Sequence, residues 1–188
     1  MGNYGGVHDL QSFKQFVLTG FAGPGGRPLA LASFLIDDND WPSQPLPFKH
    51  TNILFHIICG LLLLGFVRRI LEILRPRHNL NNWLAIVVAG YWLLHPLNVS
   101  TVLYVVQRMA ILSTLFTLCG LCLYVAGRQR LADQPCIATF MMYCGILGCS
   151  VLAVLCKETG ALLPALAWVL EWSILSRYCV RPLPRRHS

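Results

Sequence analysis

Charge is what this sequence has least of. Only 12% of its 188 residues are charged, against roughly 25% in a soluble domain, which excludes an ordinary water-soluble globule. Lysine is scarcer still, with 3 against 12 arginines. The opening stretch "MGNYGGVHDLQSFKQF" lacks the basic start and apolar run of a cleaved secretory leader, so the N-terminus reads as a polar segment already outside a bilayer. No second Cys or His pair accompanies Cys119 and Cys122 in "LCGLC". Their redox-like spacing therefore reads as packing, as do Cys59, Cys144 and Cys149 within other apolar runs, and the 8 cysteines form no secreted framework. Asp37, Asp38 and Asp40 in "IDDNDWP" have no His or Cys beside them. They read as a solvated turn, and no metal site is expected.

Hydrophobicity is what the chain has in quantity: 55% hydrophobic residues and a mean hydropathy of +0.57. The expected class is all-α, a multi-spanning transmembrane helical bundle. A crossing helix needs about 20 apolar residues, and five runs are candidates: 52–67, 83–95, 109–126, 137–156 and 160–176. The second is short and the fifth contains Pro164, and such segments usually lie beside cavities where protein or water satisfies the freed backbone groups. Residues 1–50, with their Gly and Pro clusters, read as an outer loop region. Their "RPLALASFLI" piece is too short to span and is expected as a helix lying on the interface. Residues 51–177 form the transmembrane module and 178–188 a basic cytoplasmic tail.

The net charge of +7 and the ending "RPLPRRHS" fit anchoring against anionic headgroups better than nucleic-acid binding. Membrane lipid is therefore an expected partner and nucleic acid is not. With the N-terminus outside, Arg68, Arg69, Arg75, Arg77, Arg128, Arg130, Arg177, Arg181, Arg185 and Arg186 fall on one side, and Lys14, Arg27, Lys49, Arg108 and Lys157 on the other. That imbalance makes the arginine-rich side cytoplasmic. The assignment sends "GRP" (26–28), "KHTN" (49–52), "HP" (95–96), "QR" (107–108) and "KE" (157–158) to one outer face.

Arg27, Arg108 and Lys157 are then three cations at one membrane boundary. A guanidinium offers a bidentate fork to phosphate and an ammonium a point charge, but each also serves as a snorkelling interface anchor. Glu158 fits either a general acid–base role or a counter-ion role towards Lys157 or Arg108. His95 before Pro96 is a helix stop with a polar tip or a substrate contact. His56 and Asn52, four residues apart, share a helical face with His50 near its start, as a functional stripe or as interhelical hydrogen-bonding groups. Glu171 lies near the cytoplasmic end, within reach of an interface arginine.

The ordered series "GRPLALASF", "KHTNILFHIICGLLL", "HPLNVSTVLYVVQRMAILSTLFTLCGLCLY" and "LAVLCKETGALLPALAWVLEW" resembles the membrane module of the transmembrane and tetratricopeptide repeat-containing proteins. That module is similar to GT-C type glycosyltransferases of the protein O-mannosyltransferase kind. The resemblance spans about residues 20–173. It implies transfer of a sugar from a polyprenyl-phosphate donor to an acceptor hydroxyl, a protein acceptor included, on the outer face of a bacterial inner membrane or endoplasmic reticulum membrane. The matched positions are Arg27 and Pro28, His50, Asn52, His56, His95 and Pro96, Gln107 and Arg108, Lys157 and Glu158. Such enzymes also carry a first helix and an acidic first loop, and the repeat proteins a tetratricopeptide array. The chain opens and closes without them, which reads as a fragment of a larger protein. Glu158 and His95 are the catalytic candidates, and the lipid-linked sugar donor takes the place of a cofactor. The alternative class is a non-catalytic multi-spanning protein, transporter-like or an interaction subunit.

Overall fold

The computed structural model describes residues 6–19, 26–40 and 43–178, and every regular element among them is helical. Proline sets several starts, since its missing N–H is no loss in a first turn and its φ is already helical. α2 (Pro28–Phe34), α3 (Pro45–Leu74) and α7 (Pro135–Tyr143) all open this way. α3 has 30 residues, roughly 45 Å at 1.5 Å per residue. It ends where Arg75, pushed out of helical space by Pro76, takes φ −138° and ψ 78°. The Asn81 amide then donates to the carbonyls of Leu71 and Arg75 (3.4 and 2.8 Å), satisfying groups the helix end leaves open.

α4 (Asn81–Leu93) and α5 (Leu97–Leu103) meet at 62°. The break falls at His95-Pro96, because Pro96 lacks an N–H and its ring opposes helix in the residue before it. The run 83–95 is therefore only the first limb of a bent pair. A single 3₁₀ turn (Val105–Gln107) leads into α6 (Arg108–Arg130). α7 continues through a π turn (Cys144–Gly148) into α8 (Cys149–Cys156). A 3₁₀ turn (Glu158–Leu162), α9 (Leu163–Leu170), a second π turn (Glu171–Leu175) and α10 (Ser176–Tyr178) complete the described chain.

Three continuous helical segments are long and apolar enough to cross a membrane: Val105–Arg130, Pro135–Cys156 and Glu158–Tyr178. The bent pair makes a fourth if it is one crossing. This supports a membrane protein with at least three spans, fewer than the five expected, and the 52–67 run lies inside the longer α3.

Contacts along the helices fix their directions. Asn52 of α3 meets Arg108 at the start of α6, and Arg69 meets Gln129 at its end, so these two run parallel. His56 reaches the Leu93 carbonyl while Asn81 reaches Leu71, so α4 runs against α3. Half of the α6 span is buried, against 22% of each of the two that follow, which makes α6 the central helix. It is approached closely by the first π turn. A Cβ on Gly120 would lie 2.5 Å from the Gly145 carbonyl oxygen, and one on Gly145 2.8 Å from that of Gly120. Without a solvent-driven hydrophobic force between lipid-embedded helices, such close backbone packing is a principal source of association.

The N-terminal region is a folded cap. α1 (Leu10–Thr19) and α2 pack Phe16, Leu31 and Phe34 against Phe48 of α3. The expected helix in "RPLALASFLI" is present, but Ala30 and Leu31 are 1% exposed. It is enclosed by protein because its apolar side chains cover more than one face. The boundary drawn at residue 50 falls inside α3, whose first two turns belong to the cap. The basic tail beyond Tyr178, with Arg181, Arg185 and Arg186, lies outside the described residues.

Candidate functional site

The polar dipeptides of five separate segments meet at one end of the bundle. At its centre is Arg108, the first residue of α6, whose side chain is fully buried. Its Nε donates to Asn52 Oδ1 (2.8 Å), Nη1 to the Ser33 carbonyl (2.9 Å) and Nη2 to the Phe48 carbonyl (2.9 Å). Nη1 also forms an ion pair with Asp37 Oδ2, and the Thr51 hydroxyl donates to the other Asp37 oxygen. The guanidinium carbon lies 4.9 Å from the Phe34 ring centroid and 5.6 Å from that of Phe48, positions favourable for a cation over an aromatic face. Asn52 completes the arrangement by donating to the carbonyls of Val102 and Tyr104 (3.2 and 3.4 Å). One guanidinium thus joins α2, α3, α6 and, through Asn52, the end of α5 and the residue that follows it.

Asp37 corrects the expectation of a solvated turn. Its side chain is 4% exposed, because the cap folds the end of α2 onto α3 and α6 and a buried guanidinium needs a counter-ion. Asp38 and Asp40 remain in the turn. Asp38 accepts the Asp40 N–H (3.1 Å), which with the Ser43 hydroxyl holds its carboxyl below the usual carboxylate range.

The second ionic feature is nearer the surface. Arg27 donates from Nε and Nη2 to Glu158 Oε1 (3.3 and 3.1 Å) and from Nη2 to Oε2 (2.9 Å). Arg27 also rests on the Met109 sulfur. The Arg27 side chain is 19% exposed and that of Glu158 51%. Arg27 occupies left-handed backbone space (φ 48°, ψ 54°) directly before Pro28, a conformation disfavoured for a residue with a Cβ and doubly so before proline. Lys157, half-buried and extended (φ −160°), is the hinge between α8 and the 3₁₀ turn that Glu158 opens. The fold there is tight, since a Cβ on Gly160 would lie 2.4 Å from the Ala153 backbone.

The histidines gather at the break between α4 and α5. His56 Nε2 lies 3.1 Å from the Leu93 carbonyl oxygen, and its ring sits 4.8 Å from that of Trp92. His95 Nδ1 accepts the Leu97 N–H (3.3 Å), and the Asn98 amide donates to the Trp92 carbonyl (2.6 Å). His56, His95 and Asn98 line a cavity of about 290 Å³ with apolar walls from Leu93, Val99 and Val102. His50 and Gln107 are exposed at the same end. Among the described residues no cluster of three His, Cys, Asp or Glu side chains could hold a metal.

At the opposite end, Glu171 accepts from Arg128 Nε (2.9 Å) and Nη2 (2.5 Å) and from the Tyr124 hydroxyl (3.0 Å). The expected arginine partner of Glu171 is thus Arg128. The residue the sequence reading missed is Asp37; set at the start of the polar "DDND" cluster, it carries no local mark of its burial. Comparison of the chain with protein-family models, with curated proteins and with solved structures finds no match.

Proposed function

We propose that the chain is an integral membrane module of the GT-C glycosyltransferase type, which holds the phosphate of a polyprenyl-linked sugar at the end marked by Arg27 and Lys157. The observation that carries this reading is the Arg27–Glu158 pair: a partly exposed guanidinium fork on strained backbone, with Lys157 adjacent, at the boundary of the apolar bundle. An incoming phosphate would take the fork from Glu158. The released carboxylate would then stand as a base for the acceptor hydroxyl, while the cations offset charge developing on the leaving phosphate. Arg108 is spent on protein partners and acts as the brace under this rim, with Asn52. His95, His56 and the cavity at the helix break lie on the acceptor side, and His50 and Gln107 at its border.

The same reading takes α3, with its 52–67 run, and the α4–α5 pair as the first two of five passages, in a bacterial inner or endoplasmic reticulum membrane. The N-terminus and the donor end lie on the non-cytoplasmic side. A non-catalytic bundle, transporter-like or an interaction subunit, is favoured by one observation, that Glu158 already has its partner in Arg27. Binding separates the two. Purified protein should retain polyprenyl monophosphate over the uncharged polyprenol, and Arg27→Ala should weaken that retention about tenfold or more. Equal binding of phosphate and alcohol, or no loss in the variant, would remove the donor site.

A further inference from the structure

The two ends of the bundle differ in charge balance. At the Arg108 end, the described cations Lys14, Arg27, Lys49, Arg108 and Lys157 meet Asp9, Asp37, Asp38, Asp40 and Glu158, five against five. At the other end are six exposed arginines, Arg68, Arg69, Arg75, Arg77, Arg130 and Arg177, with Arg128 half-buried beside them. They meet Glu72, Asp133 and Glu171, seven minus three, a surplus of +4. Glu171 is already engaged by Arg128. Among the described residues none of the six exposed guanidiniums forms an ion pair.

Geometry sharpens this surplus into a surface. The apolar run of α3 stops at Val67, and the helix continues through Arg68 to Leu74, roughly 10 Å further at 1.5 Å per residue. Arg69 is fastened to Gln129 at the end of α6 (3.5 Å). Arg75 and Arg77 follow at the turn, and the Arg75 carbonyl is tied by Asn81 to the start of α4 (2.8 Å). From that point the side of α4 is bare and apolar, with Trp83 66%, Ile86 50% and Val87 64% exposed. A cationic ledge therefore sits directly at the head of an uncovered hydrocarbon-like strip.

We propose that this ledge and strip bind an anionic phospholipid, its headgroup phosphate on Arg69, Arg75 and Arg77 and its acyl chains along Trp83 and Val87 of α4. Guanidiniums without carboxylate partners supply the charge-assisted hydrogen bonds, and the adjoining apolar strip favours a lipid over a soluble phosphate or a nucleic acid. The inference does not depend on any enzymatic role of the opposite end.

The test uses the full chain reconstituted in vesicles in which acyl-brominated phosphatidylglycerol or phosphatidylcholine quenches tryptophan fluorescence. Phosphatidylglycerol should be preferred by more than about tenfold, and part of the quenching should vanish in Trp83→Phe. Each arginine near a membrane surface contributes about fivefold, so the variant Arg69→Gln/Arg75→Gln/Arg77→Gln should bring the preference to about unity. Lys14→Gln at the balanced end should leave it unchanged. If the triple variant does not reconstitute, Arg75→Gln alone should lower the preference about fivefold. Equal quenching by both lipids in the unaltered chain, or an undiminished preference in the variants, would overturn the proposal. So would loss of the preference to millimolar glycerol phosphate or to a short RNA duplex.

Discussion

At the residue scale, stability is concentrated in Arg108. Removing one partner of a buried pair leaves the other charge desolvated and alone, at a cost of about 3–5 kcal/mol. Arg108→Ala should therefore lower thermal stability strongly, since Asp37 would stay 4% exposed without its cation. Arg27→Ala should change stability by about 1 kcal/mol or less, because half-exposed pairs gain little over hydration, whereas the proposed donor site requires it to weaken polyprenyl phosphate binding strongly. Thermal unfolding in detergent checks both, and similar losses from the two substitutions would contradict this division of labour between brace and rim. The division was not legible in the sequence, where Arg108 and Arg27 were equivalent cations beside apolar runs. Arg108 and Asp37 are 71 positions apart, and Asp37 stands in a polar-looking "DDND" cluster, so the pairing depends on how the cap folds, which no local pattern encodes. Glu171 was different: a carboxylate within an apolar helix demands a cation, and the arginines gathered at its end of the bundle supply one in Arg128.

At the element scale, the helices themselves were legible because uninterrupted apolar length is a direct consequence of bilayer thickness. The break at His95-Pro96 was legible because proline chemistry is local. The extension of α3 back to Pro45 was not, since residues 45–51 become helical by packing Phe48 against Phe16 and Phe34, a tertiary effect. Nor were the π turns at Cys144–Gly148 and Glu171–Leu175, which insert one residue without any compositional mark. The first of these sets the close approach of Gly145 to Gly120. Gly120→Leu should accordingly push α7–α8 from α6, destabilising the bundle by about 1–3 kcal/mol or more. Gly148→Ala, where a Cβ meets nothing within 4 Å, should be near neutral. Comparing the two melting temperatures checks the packing directly, and an unaffected Gly120→Leu would refute it.

At the scale of the whole molecule, parallel α3 and α6 with antiparallel α4 and α7–α8 bring Gln107-Arg108 and Lys157-Glu158 to one end and the exposed arginines to the other. The functional reading needs that end to face away from the cytoplasm. Side-specific labelling measures this most directly. Single cysteines at Gln107, Thr159 and His78, in a background with the native cysteines replaced, are exposed to a membrane-impermeant thiol reagent in sealed, right-side-out vesicles. Cysteines at 107 and 159 should react from outside and that at 78 only after permeabilisation. Reaction of 107 and 159 from opposite sides would contradict the shared polar end, and reaction of 78 from outside while 107 and 159 stay protected would contradict the orientation on which the donor site rests.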